Sequence, residues 1–194
     1  ENIMANPSAY ALNTENSEAQ KEQAADTGKN TEENIGSDDS SLQQYEIKAA
    51  ANGEVIPVSD VPDEVFAGGA LGEGVAVIVT DGKVYAPVDG EISMIADTLH
   101  AFGISTEDGL ELLVHIGINT VELEGKGFTA KVQEGDKVRA GQLLCEVDMK
   151  LMKAKGYKMH TPMLMTNADE CRDIQLIPDK FAKAGKTTVI TYRK

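Results

Sequence analysis

Beyond Tyr45 the chain is a succession of short alternating or wholly apolar runs, at residues 75–80, 84–86, 90–95, 110–117, 143–147 and 187–192, separated by Gly, Pro and Asp. Runs this short, with turn residues between them, predict an all-β sandwich or barrel with short helical turns rather than alternating β–α units. Helix is expected in two small pieces. One runs over 149–155, with Asp148 as its N-cap and Gly156 as its stop; the other follows Pro62, around 63–67.

The most informative pattern lies between His100 and Gly117. Asp108-Gly109 sits between two β-rich runs, a strong hairpin signal because both central positions of a type I′ turn need positive φ. A two-residue loop there, or a four-residue loop centred on the same pair, places Phe102 opposite His115 and His100 opposite Gly117. Side chains then divide by face. His100, Phe102 and Ile104 share one with Leu113, His115 and Gly117, while Leu110, Leu112, Val114 and Ile116 point into the core. The two imidazoles become diagonal neighbours with β-carbons roughly 7–8 Å apart, and Gly117 leaves room for His100 to lean toward His115. A three-residue loop would put the histidines on opposite faces.

Residues 1–44 read differently. They hold four residues of the Ile, Leu, Val and Phe types, with nine carboxylates against two lysines. So polar a stretch cannot bury enough apolar surface to offset its ordering entropy, so 1–44 is expected to be a flexible acidic linker and 45–194 the folded domain. The chain opens on Glu rather than Met, which suggests that it was cut from something longer or carries a cloning scar. A net charge of −14 argues against nucleic acid and anionic membrane surfaces and favours partners that present Arg and Lys. No run reaches the ~18 apolar residues of a membrane-spanning helix and no signal peptide is evident, so a cytoplasmic location without membrane insertion is expected. Cys145 and Cys171 are far apart in sequence and read as buried thiols.

Residues 90–125 contain no Lys or Arg, so the only latent positive charge around the two histidines is imidazole itself. Apolar surroundings favour the neutral ring, whose free nitrogen is nucleophilic. Thr98, two residues before His100, is placed to orient that ring. No G-x-S-x-G elbow supports a serine hydrolase. The remaining histidine, His160, stands in a separate Met-rich run and reads as structural. Phosphoryl transfer asks for little covalent machinery beyond an in-line nucleophile and charge stabilisation, which a pair of neutral imidazoles and nearby N–H groups supply.

The residues Thr98-Leu-His100-Ala-Phe-Gly-Ile, then Gly109-Leu-Glu-Leu-Leu-Val-His115-Ile-Gly-Ile-Asn-Thr-Val121 and Glu124-Gly-Lys-Gly-Phe128, resemble the signature of glucose-type IIA domains of bacterial sugar phosphotransferase systems (PTS). The likeness runs from Val61-Pro-Asp-Glu-Val-Phe66 to Thr161-Pro162 and Asn167, and covers essentially residues 45–194. It implies an antiparallel β-sandwich that acts as a phosphocarrier domain, in which His115 takes the phosphoryl group on Nε2 from the phosphohistidine protein HPr and passes it to the cysteine of a sugar-specific IIB domain. His100 would stabilise the phosphoryl group and be needed for onward transfer, Thr98 would hydrogen-bond His100, and the carbonyl of Gly117 would fix the tautomer of His115. Asp63 would pair with a partner arginine, whereas Asn119 stands where many relatives carry Asp. The apolar docking surface would be Val65, Phe66, Phe102 and Val121. The acidic linker favours a fusion to IIB and to a membrane IIC domain, but a free-standing domain stays open, as does the sugar. No cofactor is implied, with adventitious zinc at His100 and His115 a minor reading.

One pattern points elsewhere. Residues 132–150 resemble a biotinyl or lipoyl carrier, with Lys150 as the modified lysine. Such a lysine needs a hairpin tip, however, and Lys150 falls in the expected helical turn. A lysostaphin-type zinc peptidase needs a His-x-His element that this chain lacks.

Overall fold

The computed structural model describes residues 42–178 and 180–194; the acidic stretch 1–41 lies outside the described residues. In chain order the strands are β1 (Gln44–Lys48), β2 (Gly53–Pro57), β3 (Glu73–Val79), β4 (Lys83–Tyr85), β5 (Gly90–Ile95), β6 (Ala101–Ser105) and β7 (Glu111–His115). They continue with β8 (Phe128–Ala130), β9 (Lys137–Val138), β10 (Leu143–Val147), β11 (His160–Met165), β12 (Arg172–Leu176), β13 (Lys180–Ala182) and β14 (Thr188–Arg193). Helix α1 (Glu64–Ala67) joins β2 to β3, and α2 (Met149–Lys155) joins β10 to β11.

The strands form an eight-stranded sheet in the order β13-β2-β3-β11-β7-β6-β5-β9 and two three-stranded sheets, β4-β10-β8 and β1-β14-β12. All pairings are antiparallel. The fold is an all-β sandwich. Its main core lies on the inner face of the large sheet, where Val75, Val77, Phe102, Ile104, Leu112, Val114 and Met163 meet Ile47, Leu144 and Ile190 from the smaller sheets. Because side chains alternate along a strand, Ala76 and Leu164 point to the outer face. There Val61, Phe66 and Ile118 cover them in a second, smaller apolar cluster. That outer cluster places α1 beside the end of β7.

Both helices are set by their caps. Asp148 accepts from the N–H groups of Lys150 and Leu151, and Gly156 closes α2 at φ 77°; Asp63 accepts from Val65 and Phe66 at the start of α1. Each cap satisfies donors that a helix of four or seven residues cannot satisfy internally.

The hairpin β6–β7 departs from its expected register. Thr106 N–H donates to the Leu110 carbonyl and Gly109 N–H to the Thr106 carbonyl, so the loop is the three residues Glu107, Asp108 and Gly109. Gly109 has φ 83°, and Asp108 is not in the left-handed region, so the turn is type I followed by a left-handed glycine rather than type I′. Long-range contacts hold it. The Tyr192 hydroxyl donates to the Asp108 carboxylate at 2.9 Å, and Asn167 Nδ2 and Lys194 Nζ both donate to the Gly109 carbonyl at 2.9 Å. The register becomes Ala101 opposite His115, Phe102 opposite Val114 and Ile104 opposite Leu112. Phe102 and Ile104 therefore face the core with no exposed surface, and the expected outward patch containing them does not exist.

Candidate phosphoryl-transfer site

His115 is the last residue of β7 and, like Leu113, points to the outer face, half-buried. In the observed register His100 would point inward if it continued β6. It does not, because β6 begins only at Ala101. Residues 96–101 form a tight loop in which Leu99 N–H donates to the Ala96 carbonyl and Ala96 N–H to the Ala101 carbonyl. Leu99 sits at φ 58°, a left-handed conformation that costs a non-glycine residue about 1–2 kcal/mol. That rotation releases His100 from the strand's alternation. Its backbone remains tied to the partner strand, since the Ile116 N–H donates to the His100 carbonyl at 2.7 Å.

The two rings meet edge to face, with centroids 4.8 Å apart and planes at 79°. The residue directly opposite His115 is Ala101, whose methyl leaves space for the second ring. Phe66 also packs on His115, at a centroid distance of 4.8 Å with the planes tilted at 59°. His115 Nδ1 donates to the Gly117 carbonyl at 3.0 Å. Since Nδ1 carries the proton, the lone pair is on Nε2. Thr98 Oγ1 lies 2.6 Å from His100 Nδ1.

Gly117 is buried and turns at φ 73°; a β-carbon there would stand 2.6 Å from Thr120 Cγ2. It serves the site through its carbonyl and offers no side chain to a partner. The Thr120 hydroxyl donates to the Ile116 carbonyl and pins the turn that aims the Gly117 oxygen.

Burial, and then the neighbouring His100, push the His115 pKa down from 6.5 to about 4; the Gly117 carbonyl and the Asp63 carboxylate act in the opposite direction and are outweighed. Burial also lowers His100. Both rings are accordingly neutral near pH 7. An unfolded chain protonates His115 near 6.5, whereas the folded chain resists until about pH 4. Between those values the unfolded state binds more protons, so His115 makes stability fall as pH drops, by at most about 1.4 kcal/mol per pH unit, and contributes no pH dependence above that window. An NMR titration of the ring protons should show His115 unprotonated at pH 5.5; a midpoint near 6.5 would contradict this account of its surroundings.

The remaining candidate residues divide. Val65 on α1 and Val121 on the 3-10 turn Thr120–Leu123 are 55% and 49% exposed. Phe66 lends its ring to His115 rather than to the surface. Asn119 is exposed and left-handed at φ 59°, a conformation that Asn tolerates better than most residues. Phe102 is a correction: it has no exposed surface, so it cannot form part of a docking face. Phe102→Ala should cost about 3–5 kcal/mol of stability in denaturant unfolding while leaving phosphoryl uptake per folded molecule unchanged. A mild stability effect with a selective uptake loss would restore its place at the surface.

Sequence reasoning missed the Leu99 turn, for which a leucine gives no signal, and the Phe66–His115 contact, which joins elements far apart in the chain. Lys150 lies in the first turn of α2, not at a hairpin tip, as the carrier reading would require. His160 stands on β11 with its Nδ1 buried and unpartnered. Among the described residues no group of three or more His, Cys, Asp or Glu gathers into a metal cluster, and no helix is long and apolar enough to cross a membrane.

Residues 45–171 match the family described as phosphoenolpyruvate-dependent sugar phosphotransferase system, EIIA 1. The chain is 43% identical over 153 residues to the PTS system glucose-specific EIIA component of Halalkalibacterium halodurans, covering 79% of this chain and 88% of that one. It is also 43% identical over 143 residues to the PTS system beta-glucoside-specific EIIBCA component of the same organism, covering 74% of this chain but 22% of that longer protein. Among solved structures the glucose permease IIA from Mycoplasma capricolum superposes with a TM-score of 0.72 at 33% identity, over 77% of this chain and 96% of that one. The chain belongs to the EIIA 1 family of the phosphoenolpyruvate-dependent sugar phosphotransferase systems, a phosphotransferase component of sugar uptake.

Proposed function

We propose that His115 is the residue that carries the phosphoryl group, received from the phosphohistidine of HPr and handed to the cysteine of a IIB domain. The observation that supports this most directly is the Nδ1–H bond to the Gly117 carbonyl, which commits the lone pair of a neutral ring to Nε2. In the first step that pair attacks phosphorus in line, an N–P bond forms, and the donor's P–N bond breaks with its pair returning to the donor imidazole. In the second the IIB thiolate attacks phosphorus, an S–P bond forms, and the N–P pair returns to His115 Nε2. Neither step moves the Nδ1 proton.

His100 serves as hydrogen-bond donor to the phosphoryl oxygens. With the Thr98 hydroxyl donating to Nδ1, its own proton sits on Nε2. The Asp63 carboxylate, engaged through Oδ1 as the cap of α1, keeps Oδ2 for a partner arginine. Val65 and Val121 supply exposed apolar area around the ring pair. With Asn119 in place of a carboxylate, the opposite side of the site offers hydrogen bonds rather than an ion pair. The reading requires no resident cofactor; zinc on His100 and His115 would need a partner to complete its ligands. A IIB and a IIC domain, in the same polypeptide as in the EIIBCA relative or in a separate one, complete the pathway at the cytoplasmic face of the membrane.

The experiment is a chase. Radiolabelled phospho-HPr should label the protein, and added IIB domain should then remove the label; failure of either transfer sinks the assignment.

A further inference from the structure

The chain's charge is segregated around the site. Residues 90–125 carry seven carboxylates and no Lys or Arg, whereas residues 149–168 carry Lys150, Lys153, Lys155 and Lys158 and no Asp or Glu. All four lysines are exposed, because α2 turns Met152 into the core and its opposite face outward. Lys48, Lys131, Lys137 and Lys194 each pair with a carboxylate. None of the four lysines on and after α2 does so among the described residues.

This basic face borders the histidine pair. The Ile118 N–H donates to the Lys158 carbonyl at 2.9 Å, which fastens the chain after α2 to the residue that follows Gly117. Between them opens a notch of about 340 Å³ whose walls include Pro62, Ile118, Asn119, Glu122, Lys155 and Lys158. Its one carboxylate, Glu122, already accepts from the Tyr157 hydroxyl at 3.2 Å. Lys155 and Lys158 therefore line the notch with little opposing charge.

We propose that the notch and the lysine face receive an acidic segment of the protein partner that exchanges phosphoryl groups with His115, an inference that rests on the function proposed above. Two neighbouring ammonium groups, an amide and a concave wall fit a carboxylate-bearing side chain. A bilayer fits poorly: none of the exposed large apolar residues, Val65, Leu71, Met94, Val121, Leu176 and Phe181, lies on α2, so nothing there inserts among lipids. Contacts of this rim type act mainly on association rate and salt dependence.

The test compares two double reversals of equal net charge, Lys155→Glu with Lys158→Glu, and Lys183→Glu with Lys186→Glu on the turn before β14. Transfer is measured in both directions against the HPr and IIB partners. For at least one partner the first pair should raise KM about 10-fold at low salt with kcat unchanged, and the difference should vanish near about 0.5 M salt. The second pair should leave KM unchanged. Unaltered KM in the first variant, an equal rise in the control, or a fall confined to kcat would overturn the proposal. So would sedimentation with phosphatidylglycerol vesicles that depends on Lys155 and Lys158 while KM stays constant, which would make this a lipid-facing surface. Absence of labelling in the unaltered protein would instead refute the function assigned to His115.

Discussion

His115→Ala should abolish labelling by phospho-HPr. Among the described residues, the variant removes the one histidine whose Nδ1 is held by a backbone carbonyl so that the lone pair is left on Nε2. Three local features make that nitrogen reactive, and none of the other histidines has all of them. Its Nδ1 is bound to a backbone carbonyl, burial holds the ring neutral to about pH 4, and Phe66 packs against its face. His160 has no partner on Nδ1, so no backbone carbonyl holds its proton there. The structural cost of the substitution is modest, because the lost hydrogen bond contributes about 1 kcal/mol net. Thermal unfolding of the variant separates loss of chemistry from loss of fold. Robust labelling of a folded His115→Ala protein would refute the site.

His100→Ala should separate the two half-reactions: uptake persists, and donation to the IIB cysteine fails or falls at least about 10²–10³-fold, the loss typical of removing one preorganised donor from a developing anion. Acceptance depends on the nucleophile, and His115 keeps its Gly117 bond and its Phe66 contact without His100. Removing His100 even lifts the second cause of its lowered pKa, so the ring gains basicity. Donation makes His115 the leaving group, with electron density returning to a ring that cannot become protonated near neutral pH. A donor on the phosphoryl oxygens then matters most, and His100 stands 4.8 Å away, centroid to centroid. A variant that donates at the unaltered rate would show that the second ring is a bystander.

Much of this was legible in the chain, and the exceptions share a cause. Helix α2 could be bounded from Asp148 and Gly156 because caps act within one turn. Strands β5 and β10 carry enough β-branched and apolar residues between breakers to show their ends. Strand β11 was obscured by Pro162, which pairs with Ala76 on β3 but has no partner on β7, whose ladder with β11 starts at Met163. The hairpin register failed at Asp108-Gly109, since Tyr192, Asn167 and Lys194 select a turn that the dipeptide alone does not favour. That one-residue slip sent Phe102 and Ile104 inward, as a period of two demands. The histidines nevertheless meet, because Leu99 breaks the alternation just before His100. Local signals thus revealed which residues carry the chemistry, whereas the path that joins them depends on tertiary contacts.

The central claim is that one nitrogen atom, Nε2 of His115, bears the phosphoryl group. Long-range proton–nitrogen NMR of the protein phosphorylated by phospho-HPr reads this directly, through the shift of the substituted ring nitrogen and its coupling to phosphorus. The account predicts a single phosphorylated ring, His115, substituted at Nε2 with Nδ1 still protonated. Phosphorus coupled to Nδ1 of that ring, or to either nitrogen of His100, would contradict it.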